Sequence, residues 1–592
     1  MSKPLIANSS PIENPAGTAA NEWRWADRIA LLLTTPLFVV VLAMKVVCAL
    51  KYRVNSDEPQ HLHVVWGWAN GLVQYRDIFD NHCPLFQMLY APVFRLFGER
   101  ADIILPMRMT MLPLFAACIW CTYRIAAALY SRRAGLWTAL IAAAMPGFFL
   151  TSTEFRTDNL WAVLWLFALL VLLSGTLTPK RAFLFGLVIG AAFGVSGKTS
   201  LLCVTLLLAA IVVLLLRCFA GGARIEWRRL LSCVPAAIGG MVIIPGALVL
   251  LFVALGAWRQ MYYCVVGHNI LPGYIRAGPL RAYGERLLYA LPVVCGIGWL
   301  IIRFSANAGL GARRALVVLW AAFYLTALWR YWPDITKEDY LPFYPVLALA
   351  AAPLLFVPEW KRFRWRYGVV AGQALALIAA MVEILWMKDS GYLRHDRTAK
   401  DIRPVATVLR LTKPGEYVMD LKGDAIFRPR PYYYVLEPFT KQRIRMGWIR
   451  DDIPERLVAT RTAVVFAGSG VIGFGGALPF IAANYILLRE SEGRLEVPGK
   501  LLTKDAAAAS PAPISFDVAI PARYVIVAPD HLVAGVLDGT PFSGARFLEA
   551  GAHEFRPTAG QRAPLALFWT NAYEKGYLPS FSEGSDGKRG ND

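Results

Sequence analysis

The sequence predicts an α-helical polytopic membrane bundle of about eleven spans, with an external C-terminal α/β unit and a terminal β-rich unit. Three observations predict this class. The 592 residues are 57% hydrophobic and only 17% charged, whereas soluble domains are about a quarter charged. Apolar runs recur at close to the ~20 residues that carry a helix across a bilayer. Beyond Asp389 these runs stop, and glycine, proline and charge rise.

The elements follow in chain order. Residues 1–27 form a polar tail without the basic start and small-residue cleavage site of a signal peptide. The bundle occupies residues 28–388, with spans near 28–50, 103–129, 135–152, 158–176, 181–196, 199–217, 230–256, 286–303, 314–330, 341–357 and 367–387. Short basic loops follow every second span: Ser131–Arg133, Pro179–Arg181, Arg217–Arg229, Arg303–Arg314 and Glu359–Arg366. Their only acids are Glu226 and Glu359. Excess Lys and Arg marks cytoplasmic loops, so the N-terminal tail is expected inside and the loop 51–102 outside. Pro84–Gly98 is apolar but short. Were it to cross, every later basic loop would move outside, so it is expected as a re-entrant or interface-lying helix.

The parity of spans places the rest of the chain outside. "GEYVMDL", "TAVVFAG" and "NYILLRE" read as strands among helices, an α/β unit over 389–504. "AAAASPAP" reads as a linker, and residues 505–592 as that linker followed by a β-sandwich-like unit with a "DG" turn. The formal net charge is +20. Its basic residues punctuate apolar segments, so membrane lipid headgroups explain them and nucleic acid is not an expected partner. Nine cysteines all precede residue 300 and outline no disulfide framework. "CIWC" (Cys118–Cys121) reads as helix packing.

The chemistry is concentrated in "VNSDEPQHLHVVWGWANGLVQYRDIFDNHCPLF", Val54–Phe86. Asp57-Glu58-Pro59 is what a helix start requires, with a helix ending at Asn70-Gly71. The same carboxylate, kept ionised by helix-start amides beside an apolar bundle, is suited to accept a proton from a hydroxyl nucleophile. His61 and His63 alternate too closely to share a helix face as a metal pair. "FDNHCPL" is compatible with a turn and helix cap.

From "DEPQ" to "CPLF" the loop resembles the first external loop of GT-C membrane glycosyltransferases. The nearest patterns are bacterial relatives of protein O-mannosyltransferases and the aminoarabinose and galacturonic acid transferases of lipopolysaccharide. The resemblance covers the topology to about residue 387 and is most specific over 55–98. It implies an inverting transferase using a polyprenyl-phosphate sugar donor and a lipid, glycan or protein acceptor, in a bacterial inner membrane with a periplasmic site and C-terminal domains. By the same resemblance Asp57 is the catalytic base, and Glu58 its helper or a solvated neighbour. Asp158, in "TEFRTDNL" with Arg156, borders the active cavity or caps a helix. His82 stands where the family has Lys or His, for substrate or phosphate; Asp77 and Asp80 beside it are candidates for substrate binding, or else Asp77 supports the loop and Asp80 the turn and helix cap. Lys198 contacts phosphate or snorkels to the headgroups. His268 belongs to a loop, with Arg259, Arg276 and Arg281, that is either a lid or an interface-bound segment. Tyr340 precedes a "Y.LP..P"-like helix and is a substrate contact or an interfacial tyrosine. A divalent metal stays open, since no ligand spacing specifies one.

Two other functions fit parts of the chain. A polyprenyl-lipid flippase or secondary transporter would rely on intramembrane charges such as Lys45 and Glu383. An envelope scaffold would make residues 389–592 essential and the acidic loop replaceable.

Overall fold

The computed structural model describes residues 15–581 apart from 220–226, 274–279, 306, 356–365, 390, 392, 467–475, 492–493, 504–512 and 559–563. Outside the described residues lie the first half of the N-terminal tail, Arg276, most of the basic loop 359–366 and the linker.

Each expected span is helical. Seven helices are long and apolar enough to cross a membrane: Trp25–Lys51, Ile104–Leu129, Thr199–Phe219, Leu231–Ala254, Leu280–Phe304, Ala308–Tyr331 and Val370–Asp389. The remaining expected spans are shorter: Thr157–Leu173, Pro179–Val195, Phe343–Leu355, and a pair, Arg132–Ala144 and Pro146–Thr151. Pro146 divides that pair, since proline has no N–H to continue a helix. Arg132–Ala144 and Thr157–Leu173 are mostly buried by neighbouring helices. Protein, more than lipid, surrounds them.

Close packing shapes the wall beside the site. Gly186, Gly190 and Gly194 recur every fourth residue on the helix Pro179–Val195. A Cβ at Gly186 or Gly190 would collide with the backbone carbonyl of Ala237 or Met241 on Trp227–Ala254. The two helices therefore meet backbone to backbone, as small residues at every fourth position allow. Pro84–Gly98 forms the helix Leu85–Phe97, which buries Phe86, Gln87, Ala91 and Phe94 and exposes Leu89 and Leu96.

The C-terminal strands are β1 (Val418–Met419), β2 (Val464–Phe466), β3 (Tyr485–Leu487), β4 (Leu495–Thr503), β5 (Ile514–Val518), β6 (Ala522–Val527), β7 (Gly535–Leu537), β8 (Thr540–Phe542), β9 (Arg546–Leu548), β10 (Gly551–Pro557) and β11 (Leu565–Trp569). One sheet runs β1-β2-β4-β11-β6-β9, with β3 also on β4; a second runs β5-β10-β7-β8. Phe516, Leu537 and Phe555 of the second sheet share a core with Tyr524, Ile526 and Leu567 of the first. Antiparallel pairing of β4 with β11 joins strands from either side of residue 504, so the two expected units share a sheet rather than closing separately.

This region docks on the acidic loop. Thr398 Oγ1 donates to Tyr52 O at 2.6 Å. His63 Nδ1 lies 2.9 Å from Ile426 O, and Arg428 pairs with Glu99 at 2.9 Å.

Candidate active site

The helix Asp57–Ala69 starts under side-chain control. Asn55 Oδ1 accepts the Asp57 N–H at 3.0 Å, and Glu58 Oε2 accepts the Asn55 N–H at 2.9 Å. Asp57 is left facing outward from the first turn while Glu58 turns inward.

Arg156, just before the helix Thr157–Leu173, is the hub of the site. Its guanidinium reaches Asp57 Oδ2 at 2.9 Å, Glu338 Oε1 at 2.7 Å, Asp158 Oδ2 at 3.3 Å and Glu154 Oε2 at 3.7 Å. It also donates to Asn55 Oδ1 at 3.1 Å. Burial works against its charge, but Asp57 first and then Glu338 hold its pKa well above the ordinary arginine value. Burial pushes the Glu154 carboxyl up to about 7, against the pull of Arg156. Lys337 also pairs with Glu154. Lys198, in the turn before the helix Thr199–Phe219, pairs with Asp339 at 2.6 Å and Asp158 at 3.5 Å. Burial opposes its charge too, yet Asp339 and Asp158 raise its pKa.

The second cation on Asp57 comes from the C-terminal region. Lys422 Nζ lies 2.5 Å from Asp57 Oδ1. Burial favours the neutral acid, but Arg156 and then Lys422 outweigh it and hold the Asp57 carboxyl well below the usual carboxylate range.

His82 is presented by a braced carboxylate. Asp80 accepts from Gln74 at 2.8 Å, Gln87 at 3.1 Å and Gln60 at 3.2 Å, and its Oδ1 lies 2.7 Å from His82 Nδ1. Tyr75 donates to His82 O at 2.6 Å. Burial lowers the His82 pKa, but Asp80 more than compensates and leaves it above the ordinary value. His61 packs edge-on at 4.6 Å between ring centroids. Burial, then the proximity of His82, keeps His61 well below its usual pKa.

These groups line one end of a cavity of about 820 Å³. Asp57, His82, Arg156, Lys198 and Glu338 form its polar end, while Phe193, Val195, Pro245, Leu248 and Val249 form apolar walls. The arrangement can take a phosphate or hydroxyl at the polar end and an aliphatic chain along the walls.

Of the expected site residues, Asp57, His82, Arg156, Asp158 and Lys198 converge here, with Asp80 directly behind His82. Four do not. Glu58 is fully buried; its oxygens take Arg108 at 2.6 and 2.7 Å and the Phe155 N–H at 2.8 Å, so it braces the loop away from the cavity. Asp77 accepts the Val73 N–H and pairs with Arg76 at 2.9 Å, holding a surface turn. His268 is buried against Glu437 at 2.8 Å, beneath the C-terminal region. Tyr340 accepts from Trp329 Nε1 at 2.7 Å and is absorbed in an aromatic stack with Phe343 and Tyr344.

Sequence reasoning missed Glu338 and Asp339, although an acidic pair in a loop between apolar runs is the signal that singled out Asp57-Glu58. It also missed Lys422, for which "LKGDAIF" offers no signal. Among the described residues, no three His, Cys, Asp or Glu side chains are grouped to hold a metal ion.

The apolar helices, the acidic loop between them and the sheet-bearing C-terminal region constitute a GT-C-type membrane fold that resembles transferases of the ArnT and protein O-mannosyltransferase kind. The family described as dolichyl-phosphate-mannose-protein mannosyltransferase matches residues 81–256. Among solved structures, apo ArnT from Cupriavidus metallidurans superposes with a TM-score of 0.55 at 14% identity, covering 81% of this chain and 98% of that one. The same protein bound to undecaprenyl phosphate gives 0.53 at 14% identity, covering 79% and 97%. No curated protein sequence matches the chain.

Proposed function

We propose that the chain is an integral-membrane, inverting glycosyltransferase. It moves a sugar from a polyprenyl-phosphate donor to a hydroxyl on an envelope glycolipid, lipopolysaccharide or protein, at the periplasmic face of a bacterial inner membrane. The observation that carries this reading is the ionised Asp57, held between two cations at the polar end of a cavity with apolar walls.

In this mechanism the acceptor oxygen attacks the anomeric carbon from the face opposite the phosphate. Its proton passes to Asp57, and the bond from the anomeric carbon to the phosphate oxygen breaks with its electron pair on the phosphate. That leaving group needs charge stabilisation more than a proton, unlike the alcohol expelled in glycoside hydrolysis. His82, oriented by Asp80, and Lys198 are the cavity-facing groups suited to it. Asp158 acts through Arg156 and Lys198, which it orients. The two cations keep Asp57 ionised until it takes the acceptor proton.

The test compares purified wild type with Asp57→Asn on a membrane lipid extract supplied with undecaprenyl-phosphate-linked sugars. Mass spectrometry is expected to find a hexose, pentose or uronic-acid increment on an acceptor with wild type only. Movement of lipid-linked sugar across vesicles with no such increment would overturn transfer in favour of transport. Lys45, which a transporter would use, is instead bonded to Ser152 and Thr153 at 2.7 and 2.8 Å.

A further inference from the structure

Each cation at the polar end of the cavity already has an anionic partner, yet transfer creates a new negative charge there. The phosphodiester of the donor carries one negative charge, and the released monoester carries close to two. Asp57 changes in the opposite sense, from charged to neutral, as it takes the acceptor proton. A cation whose only partner is Asp57 is therefore released at the moment the phosphate needs one.

Lys422 is that cation. Among the described residues its ammonium pairs with Asp57 alone, and its side chain is 14% exposed. Arg156 would retain Glu338, Asp158 and Glu154 after Asp57 is neutralised; Lys198 would retain Asp339 and Asp158; Lys337 would retain Glu154. Among the described residues, Lys422 is the cation at this site paired with Asp57 and with no other carboxylate, and it sits against an Asp57 that itself lines the cavity.

The backbone beneath Lys422 is built for this placement. Asp420 accepts the N–H groups of Gly423 and Ala425 at 2.8 and 2.9 Å and pairs with Arg430 at 2.8 Å. Asp424 accepts the Leu421 N–H at 3.2 Å. Gly423 has φ of +108°, and a Cβ there would lie 2.6 Å from the Cβ of His63. A braced turn thus fixes the base of a long side chain whose ammonium reaches Asp57. A second ammonium, Lys441, stands on the helix Pro438–Arg445, whose Phe439 lines the cavity. Burial first, then Arg445 and Lys422, hold the Lys441 pKa below the ordinary lysine value. Positive charge gathers on this side of the site.

We propose that Lys422 is a phosphate-binding residue supplied by the C-terminal region: it pairs with Asp57 before reaction and moves to the lipid carrier's phosphate once Asp57 is protonated. This rests on the glycosyl-transfer reading above. No other group changes charge: one proton goes from the acceptor to Asp57, and one electron pair from the sugar–phosphate bond to the phosphate.

Neutral asparagine at position 57 mimics the protonated base. Binding of undecaprenyl phosphate to the full chain in nanodiscs is measured for wild type, Asp57→Asn, Asp57→Asn/Lys422→Gln and Asp57→Asn/Lys422→Arg. Asp57→Asn is expected to bind about tenfold tighter than wild type, the usual scale of coupling between sites. The gain should vanish with Lys422→Gln and survive with Lys422→Arg, a pattern that a purely structural lysine would not produce. Equal affinity in wild type and Asp57→Asn, or a gain that persists with Lys422→Gln, overturns the proposal while leaving glycosyl transfer standing. If wild type neither binds undecaprenyl phosphate nor transfers sugar, the glycosyl-transfer reading fails and this inference falls with it. To place the phosphate on the carrier, the same variants are titrated with inorganic phosphate; an identical Lys422-dependent gain there would overturn the assignment to the lipid carrier.

Discussion

Asp57 and Glu58 are adjacent carboxylates with opposite fates. Asp57 faces a cavity and Glu58 a buried guanidinium. Asp57→Asn should lower turnover by about 10²–10⁴-fold, the usual contribution of a positioned general base, with the protein still folded and still binding donor. Glu58→Ala should instead unfold the loop. Removing one partner of a buried pair costs about 3–5 kcal/mol, here by stranding Arg108. Thermal unfolding in detergent checks this, and a stable but inert Glu58→Ala would return Glu58 to the chemistry. His82 carries the pH dependence that is easiest to observe. Its raised pKa means that the charged ring, and the stability it contributes, are fully present below about pH 6.5 and lost as pH rises through the folded value. Undecaprenyl phosphate should therefore bind more weakly as the solution becomes alkaline. Asp80→Asn should move that loss to lower pH, read from affinity measured across a pH series.

At the scale of elements, the cavity depends on two close approaches. The first is the backbone contact of Pro179–Val195 with Trp227–Ala254. Both helices contribute wall residues, so Gly186→Val should push the walls apart, costing about 1–3 kcal/mol of overpacking. A lower unfolding temperature and a higher KM for donor would register it. The second is the turn at Gly423, pressed on His63 in a conformation that side chains rarely adopt. Gly423→Ala should displace Lys422 and lower kcat while leaving the helical bundle intact, which steady-state kinetics and helical circular dichroism together would test.

Across the whole molecule, the C-terminal region contacts the candidate site and the loops around it. It supplies Lys422 to Asp57, Glu437 to His268 and Phe439 to the cavity. A chain ending after residue 388 should still insert in membranes as helices but lose sugar transfer, judged by the product increment in the same lipid assay. Retained transfer would show that these contacts are dispensable and would count against a site shared between the two regions.

The sequence by itself determined the bundle and the change of character after Asp389, and it singled out the loop from Val54 to Phe86 as the candidate site. Lipid exposure is written locally, as runs of apolar residues with basic loops between them, and so is a carboxylate-rich loop between such runs. Tertiary structure alone decided which charges meet. Lys422 is 365 residues from Asp57, Arg108 is 50 from Glu58, and Glu437 is 169 from His268. It also paired β4 with β11 across the expected boundary. An ion pair or a strand pairing between distant segments leaves no periodicity in either segment, because its stability depends on geometry that exists only once the rest of the chain has packed.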